Sequence, residues 1–135
     1  GIVPFMSRYT VVKIKDDNFI KRSKKIILEA VGQSMRQHIP ELYNPTTYQE
    51  LITSMPMVQK ILFHYGPGIP PLHDFTGLLK QPERIMLIIG PEGGFSGDEL
   101  QYANDHKVIV AGLGNNVLRA ETAAIAAISI ASFVR

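Results

Sequence analysis

Short apolar runs alternate with stretches of helical periodicity along most of the chain. The apolar runs that predict strands lie at residues 2–5, 10–14, 58–64, 85–89 and 107–111. Strands that alternate with helices are typical of an α/β domain with a parallel sheet. The run at 85–89 is continuously apolar, which predicts a strand that is covered on both faces.

The first helix is predicted from Asp17 or Asn18, either of which can cap it, to about His38. Pro40 then stops it, because proline cannot continue a helix. Apolar side chains recur at four-residue spacing along this segment, which predicts one buried face formed by Ile27, Val31 and Met35.

Later helix starts are marked by capping-box spacings. Residues 47–50 read Thr-Tyr-Gln-Glu and residues 96–99 read Ser-Gly-Asp-Glu, and the second of these helices is predicted to end near Asp105. A last helix covers residues 123–134 and is apolar nearly all round. We therefore expect this helix to be buried or to lie in a subunit interface.

Composition excludes several classes of protein. The chain has 135 residues, 45% of them hydrophobic and 19% charged, which suits one domain with a packed core. It contains no cysteine, which excludes a disulfide framework, a thiolate zinc site and a cysteine nucleophile and fits the cytosol. No apolar run reaches the roughly 18 residues of a membrane span. The net charge of +2 points to no particular partner.

Three predicted loops leave the carboxyl ends of strands, where open α/β sheets bind their ligands. The first loop follows His64, the second spans residues 90–96 and the third spans residues 112–121. Glycine is concentrated in the second and third loops, and its freedom to take a positive φ lets the main chain approach a ligand closely. Tight strand-to-helix turns also favour glycine, so ligand binding and simple turn formation both remain open at this point.

Standard phosphate and metal motifs are absent. The second loop lacks the P-loop lysine, and the carboxylate of Glu92 would repel a phosphate. The Rossmann glycine spacing and the hydrolase Gly-x-Ser-x-Gly turn do not occur. The four histidines are scattered without ligand spacing, so we expect no metal. The loops therefore favour a ligand that is not a polyphosphate.

Two groups of motifs resemble the ribosomal small subunit methyltransferase E family. The first group begins at residues 89–96, which read Ile-Gly-Pro-Glu-Gly-Gly-Phe-Ser. It continues with Leu113-Gly114 and then with residues 117–123, which read Val-Leu-Arg-Ala-Glu-Thr-Ala. Residues 29–40 carry the upstream signature of the same family. The resemblance implies a SPOUT-type methyltransferase domain over residues 1–135, an α/β parallel sheet flanked by helices with a C-terminal trefoil knot. It also implies that the N-terminal RNA-binding domain and the first strand and helix of the catalytic domain are missing.

The resemblance also implies a function. The family methylates N3 of a uridine in 16S ribosomal RNA with S-adenosylmethionine as donor, and its members work as homodimers. It therefore implies a cytoplasmic enzyme whose partner is the small ribosomal subunit, with no membrane and no metal. The cofactor-binding positions that it implies are His64, Ile89, Gly90, Pro91, Glu92, Gly93, Leu113, Gly114, Val117 and Leu118.

The chemistry of this reaction selects the candidate catalytic residues. The imide proton at N3 must leave, and a fixed guanidinium would stabilise the negative charge that develops. Arg119, beside the third loop, is the first candidate, and Arg36 is the second. Gln33, Arg36 and Arg119 are the expected RNA contacts. Glu121 is a candidate base or a partner that orients an arginine, and equally a first-turn residue at a helix N-terminus.

Two other functions stay open from the sequence. One is a SPOUT methyltransferase that acts on another RNA position, such as a ribose 2′-oxygen. The other is a catalytically silent module that binds a nucleoside or RNA.

Overall fold

Strands pair in parallel throughout the described part of the chain, as the alternating pattern predicts. The computed structural model describes residues 1–11, 17–80 and 84–134. The chain divides into two units, Gly1–Met6 with Thr10–Leu51 and Ser7–Tyr9 with Ile52–Arg135. Helices flank the strands, so the predicted α/β class is confirmed.

The first unit contains a short two-stranded sheet. Strand β1, Phe5–Met6, pairs with β2, Thr46–Thr47, and an isolated bridge joins Ile2 to Leu42. The strand predicted at residues 2–5 is therefore shorter and lies later than expected. In the run predicted at 10–14, the first two residues belong to no strand, and residues 12–14 lie outside the described residues.

Helix α1, Asp17–Gln33, ends more than one turn earlier than predicted. Met35 takes a φ of 49°, and the N–H of Arg36 donates to the carbonyl of Val31 at 3.2 Å. The N–H of Met35 donates to the carbonyl of Gly32 at 3.5 Å. This pair of hydrogen bonds around a left-handed residue is a Schellman motif, which closes a helix.

The predicted end near His38 is therefore wrong, and so is part of the predicted buried face. Met35 lies beyond the helix and is 90% exposed, whereas Ile27 and Val31 are half-buried. Left-handed conformations favour glycine. A methionine that adopts one therefore gives no signal in the sequence that the helix ends there.

The second unit is built on a three-stranded sheet. Its strands are β3, Gln59–Phe63, β4, Ile85–Ile89, and β5, Ile109–Ala111, in the spatial order β4-β3-β5. The last residues of the three strands are paired across the sheet. The loops that follow them therefore begin at one edge.

Burial is greatest in the central strand. Ile61 and Leu62 of β3 are fully buried, whereas only Ile88 of β4 is buried and its neighbours are half-buried. The prediction that β4 is covered on both faces is therefore wrong for this chain, because β3 lies between the other two strands of the described sheet.

Both predicted capping boxes form. Thr47 and Glu50 cap α2, Tyr48–Thr53. Ser96 and Glu99 cap α4, Gly97–Asp105, which ends at the predicted residue. Between β3 and β4, a 3-10 turn at Leu72–Phe75 is followed by helix α3, Thr76–Leu79. Helix α5, Ala120–Phe133, follows β5.

Helix α5 is buried along one face only. Ala123, Ala127 and Ala131 recur every four residues and are buried, and Ala127 belongs to the core that includes Ile61, Phe63, Leu72, Leu79 and Ala111. Elsewhere on this helix Ile128 is 54% exposed and Phe133 is 91% exposed. Of the two expectations for this helix, burial is met on one face only among the described residues, and the subunit interface stays a prediction.

Candidate functional site

The loops that leave the carboxyl ends of β3, β4 and β5 enclose one cleft. Phe63 is paired with both Ile89 and Ala111, so the three loops begin side by side. Parallel α/β sheets bind their ligands outside this edge. The cleft is lined by Phe63, His64, Tyr65, Ile89, Gly90, Pro91, Glu92, Gly94, Leu113, Gly114, Asn116, Val117, Leu118, Ala120 and Ala123.

Gly90 leaves room for an aromatic ring against the second loop. A Cβ at this position would lie 2.8 Å from the ring of Phe95, closer than real Cβ contacts allow. Phe95 is 5% exposed, so its ring has little space to move away. Packing therefore requires glycine here, and it leaves bare main chain at the cleft.

Gly94 closes a tight turn in the same loop. Its φ is +68°, and its N–H donates to the carbonyl of Pro91 at 2.8 Å. A side chain at this φ would strain the backbone. A Cβ on Gly94 would also lie 3.4 Å from Cε1 of His64, so the imidazole of the first loop packs close to this turn.

A buried carboxylate fixes the end of the second loop. The N–H and hydroxyl of Ser96 donate to Oε2 of Glu99 at 2.9 and 3.1 Å. The other oxygen, Oε1, accepts the N–H of Arg8 at 2.9 Å. Glu99 is 7% exposed, and these donors compensate the cost of burying its charge. Glu99 therefore holds the start of α4 and the segment around Arg8 together.

Main-chain hydrogen bonds join the first and third loops. The N–H of His64 donates to the carbonyl of Ala111 at 3.1 Å. The N–H of Gly112 donates to the carbonyl of Pro70, and the N–H of Leu72 donates to the carbonyl of Gly112, both at 2.8 Å. These bonds fix the positions at which the two loops leave the sheet.

His64 lies half-buried in the wall of the cleft. Its ring centroid is 6.4 Å from that of Phe95. Burial lowers the pKa of His64 below its ordinary value of 6.5, because a charged imidazolium loses hydration there. The ring is therefore mainly neutral at pH 7, when one ring nitrogen can donate a hydrogen bond and the other can accept one.

The charge of the lining selects the kind of ligand. Among the described residues that line the cleft, Glu92 is the only carboxylate, and none is lysine or arginine. Exposed main-chain groups and apolar side chains supply most of the wall. This set is compatible with a nucleoside that carries a sulfonium cation, and it does not fit a polyphosphate.

The predicted cofactor-binding residues line this cleft, with one exception. A Cβ on Gly93 would meet the side chain of Tyr9 at 3.0 Å, and Gly93 lies outside the lining. Its neighbour Gly94 lines the cleft instead. Two adjacent glycines do not reveal from the sequence alone which of them faces a ligand.

The predicted catalytic residues are divided between the two units. Arg119 is the N-cap residue of α5, its side chain makes no capping hydrogen bond, and its neighbours Leu118 and Ala120 line the cleft. Glu121 is exposed in the first turn of α5 and does not line the cleft. Gln33 and Arg36 lie in the first unit, at the end of α1, and both are exposed.

Some lining residues were not predicted from the sequence. Asn116 and Ala123 reach the cleft because the third loop turns directly into α5, and Gly94 reaches it through its turn. None of these three positions had a specific signal in the sequence, because Gly93 and Gly94 suit a tight turn equally well.

The described residues show neither a metal cluster nor a membrane-spanning helix. Residues 1–11, 17–80 and 84–134 contain no group of three His, Cys, Asp or Glu side chains that could hold a metal ion. Within the same ranges, each helix is too short or too polar to span a bilayer.

The model of one protein family, described as an RNA methyltransferase domain, matches residues 1–132. The ribosomal RNA small subunit methyltransferase E of Bacillus subtilis is 28% identical over 141 residues, covering 98% of this chain and 55% of that protein. The protein of the same name from Mesomycoplasma hyopneumoniae is 34% identical over 128 residues, covering 92% and 54%. The chain thus spans about half the length of the curated relatives it matches.

Solved structures are similar in fold. A Legionella pneumophila structure, described as a methyltransferase with its bound cofactor SAM, gives a TM-score of 0.81 at 32% identity and covers 97% of this chain and 54% of that one. The ribosomal RNA small subunit methyltransferase E of Neisseria gonorrhoeae, bound to S-adenosyl methionine, gives 0.80 at 28% identity and covers 96% and 53%.

The family model spans nearly the whole chain, and the curated relatives carry the name that the motifs suggested. The resemblance to the ribosomal small subunit methyltransferase E family is thereby confirmed, and the chain belongs to the RNA methyltransferase domain family.

Proposed function

We propose that this chain is the catalytic part of an S-adenosylmethionine-dependent methyltransferase that acts on N3 of a uridine in 16S ribosomal RNA. The observation that carries the proposal is the cleft at the paired ends of three parallel strands, with bare glycine main chain and one carboxylate in its wall. Similar structures are described with the same cofactor bound, which supports it.

Cofactor binding would rest on the three loops. His64, the residues from Ile89 to Glu92, and the third-loop residues Leu113, Gly114, Val117 and Leu118 would hold the adenosine and methionine parts. Glycine-flanked N–H and carbonyl groups can read the edge of an adenine without charged side chains. When bound, S-adenosylmethionine supplies an activated methyl group on a sulfonium.

The residues around the cleft would handle the charge of the reaction. As the imide of uridine loses its proton, negative charge spreads over N3 and the flanking carbonyl oxygens. We assign the Arg119 guanidinium to stabilise that charge, with Arg36 and Gln33 as further RNA contacts. Glu121 would accept the proton or orient an arginine. Holding nucleophile and methyl donor in line supplies much of the remaining rate.

Further parts of the proposal concern the whole protein. We propose that residues 1–135 form a SPOUT domain with a C-terminal trefoil knot, that it works as a homodimer through α5, and that it acts in the cytoplasm without a metal. The exposed apolar side chains of α5, among them Ile125 and Ile128, support the dimer. The family membership of the chain supports the knot.

Two measurements test the proposal in order. Calorimetry with S-adenosylhomocysteine is expected to show one site per chain, and no binding would contradict the cofactor assignment. Transfer of labelled methyl groups to small ribosomal subunits, followed by mapping of the modified nucleotide, is expected to give 3-methyluridine. A methylated ribose would instead indicate another RNA position, and cofactor binding without transfer would indicate a silent module.

A further inference from the structure

A second hollow adjoins the cleft between the first and third loops. It encloses about 310 Å³, within the size range of small-molecule sites. His64, Tyr65 and Gly114 line both the hollow and the cleft, so the two spaces share a wall. A molecule in the hollow would therefore lie beside a molecule in the cleft.

The polar groups of the hollow are neutral or nearly so. No lysine, arginine, aspartate or glutamate is among the described residues that line it. Its polar side chains are the imidazole of His64, the phenol of Tyr65 and the carboxamide of Asn115. A carboxamide both donates and accepts hydrogen bonds, as does the edge of a pyrimidine base. The lining therefore fits an uncharged, flat ligand better than a phosphate.

Tyr65 supplies an aromatic surface in this wall. Tyr65 is 54% exposed although it lies just two residues after the end of the buried strand β3. Unpaired bases in RNA are commonly stacked on aromatic side chains, which contribute about 1–3 kcal/mol per base. By contrast, Phe95 is buried against Gly90 and offers no face to a base.

We propose that this hollow receives the target pyrimidine base, stacked on Tyr65 and contacted by the carboxamide of Asn115. The inference rests on the proposed function and names the substrate site beside its cofactor cleft. Because the hollow and the cleft share lining residues at His64, the ring edge of the base would lie next to the methyl donor.

Two titrations of the full chain test the inference. Calorimetry measures the affinity for S-adenosylhomocysteine, and fluorescence anisotropy measures the affinity for a short oligouridylate, with and without that cofactor product. Tyr65→Leu is expected to weaken oligouridylate binding by roughly 5- to 150-fold. Its affinity for S-adenosylhomocysteine should fall by a smaller factor, because Tyr65 also lines the cleft but the main-chain contacts of the cleft are kept.

Matched variants separate stacking from general damage. Tyr65→Phe keeps the ring and is expected to bind oligouridylate nearly as the unmodified chain does. Tyr43→Leu removes a tyrosine that is 37% exposed and lines neither space, so it should change neither affinity.

Two outcomes would overturn the inference. Unchanged oligouridylate affinity in Tyr65→Leu would mean that no base stacks there. A loss of S-adenosylhomocysteine affinity larger than the loss of oligouridylate affinity in that variant would mean that the hollow belongs to the cofactor site. An unmodified chain that fails to bind S-adenosylhomocysteine contradicts the proposed function instead, and the titration without cofactor still tests the hollow.

Discussion

Arg119 combines exposure with a position at the edge of the cleft, between the lining residues Leu118 and Ala120. We expect Arg119→Ala to lower the methylation rate by about 10²–10³-fold, the usual effect of removing one preorganised donor to a developing anion. Cofactor affinity should change little, because the main chain at this position is retained. Single-turnover kinetics on small ribosomal subunits would measure the effect.

Arg119→Lys is the matched control for this prediction. It keeps the positive charge and loses the planar guanidinium, so we expect an intermediate rate. Unchanged turnover in Arg119→Ala would remove this residue from the mechanism.

Among the glycines that line the cleft, Gly90 is the one at which an added methyl group has least room. Gly90→Ala would force the Phe95 ring or the loop to move, and overpacking of this kind costs about 1–3 kcal/mol of unfolding free energy. S-adenosylhomocysteine affinity should fall with it. Gly97→Ala is the control, since a Cβ there meets nothing within 4 Å and alanine favours the helix. Full affinity in Gly90→Ala would argue against the loop assignment.

His64 predicts a pH dependence of stability. Its pKa is lowered in the folded chain by burial, so the unfolded chain binds the proton more readily. The contribution of His64 to the free energy of unfolding is fully present above about pH 6.5. It is lost as the pH falls through the lower pKa of the folded chain. Tyr65 and Glu92 line the same cleft and are unchanged in the test.

Thermal unfolding at pH 7.5 and 5.5 measures this effect. Between pH 7.5 and pH 5.5, the Tm of the unmodified chain should fall further than the Tm of His64→Gln, because glutamine cannot take up the proton. Equal losses in the two proteins would show that His64 is not linked to folding.

At the scale of elements, the two capping boxes differ in burial and so should differ in energy. Glu99 is buried and also accepts the N–H of Arg8, whereas the box at Glu50 is exposed. We expect Glu99→Ala to cost about 1–3 kcal/mol of unfolding free energy, because it leaves buried donors unpaired. Glu50→Ala should cost closer to 0.5–1 kcal/mol, roughly the loss of an exposed cap. Urea unfolding would measure both, and equal costs would contradict the distinction.

The same elements mark what sequence patterns can predict. Helix α4 was predicted with its cap and its end, because Ser96, Glu99 and the residues between them form a local signal. The end of α1 was not, because it depends on a left-handed Met35 that no pattern marks. The sequence also does not show whether Gly93 or Gly94 faces the cleft. Gly93 packs against Tyr9, a residue that is distant in sequence.

At the scale of the whole molecule, α5 has apolar side chains that the described residues leave exposed. We expect light scattering to give a dimer, and Ile128→Glu to shift it to a monomer, because a buried charge without a partner is costly. Ile26→Glu, on α1 and 53% exposed, is the control and should leave the mass unchanged. A monomeric unmodified chain would contradict the proposed interface.

The hydrogen bond from Arg8 to Glu99 has a consequence for the order of assembly. It joins residues that are 91 positions apart, and contacts of such separation form slowly because a long loop must first close. During refolding the strands, which lie closer together in sequence, are therefore expected to pair before the turn that leads into α4 is tied down. We expect that turn to be the last wall of the cleft to settle during refolding.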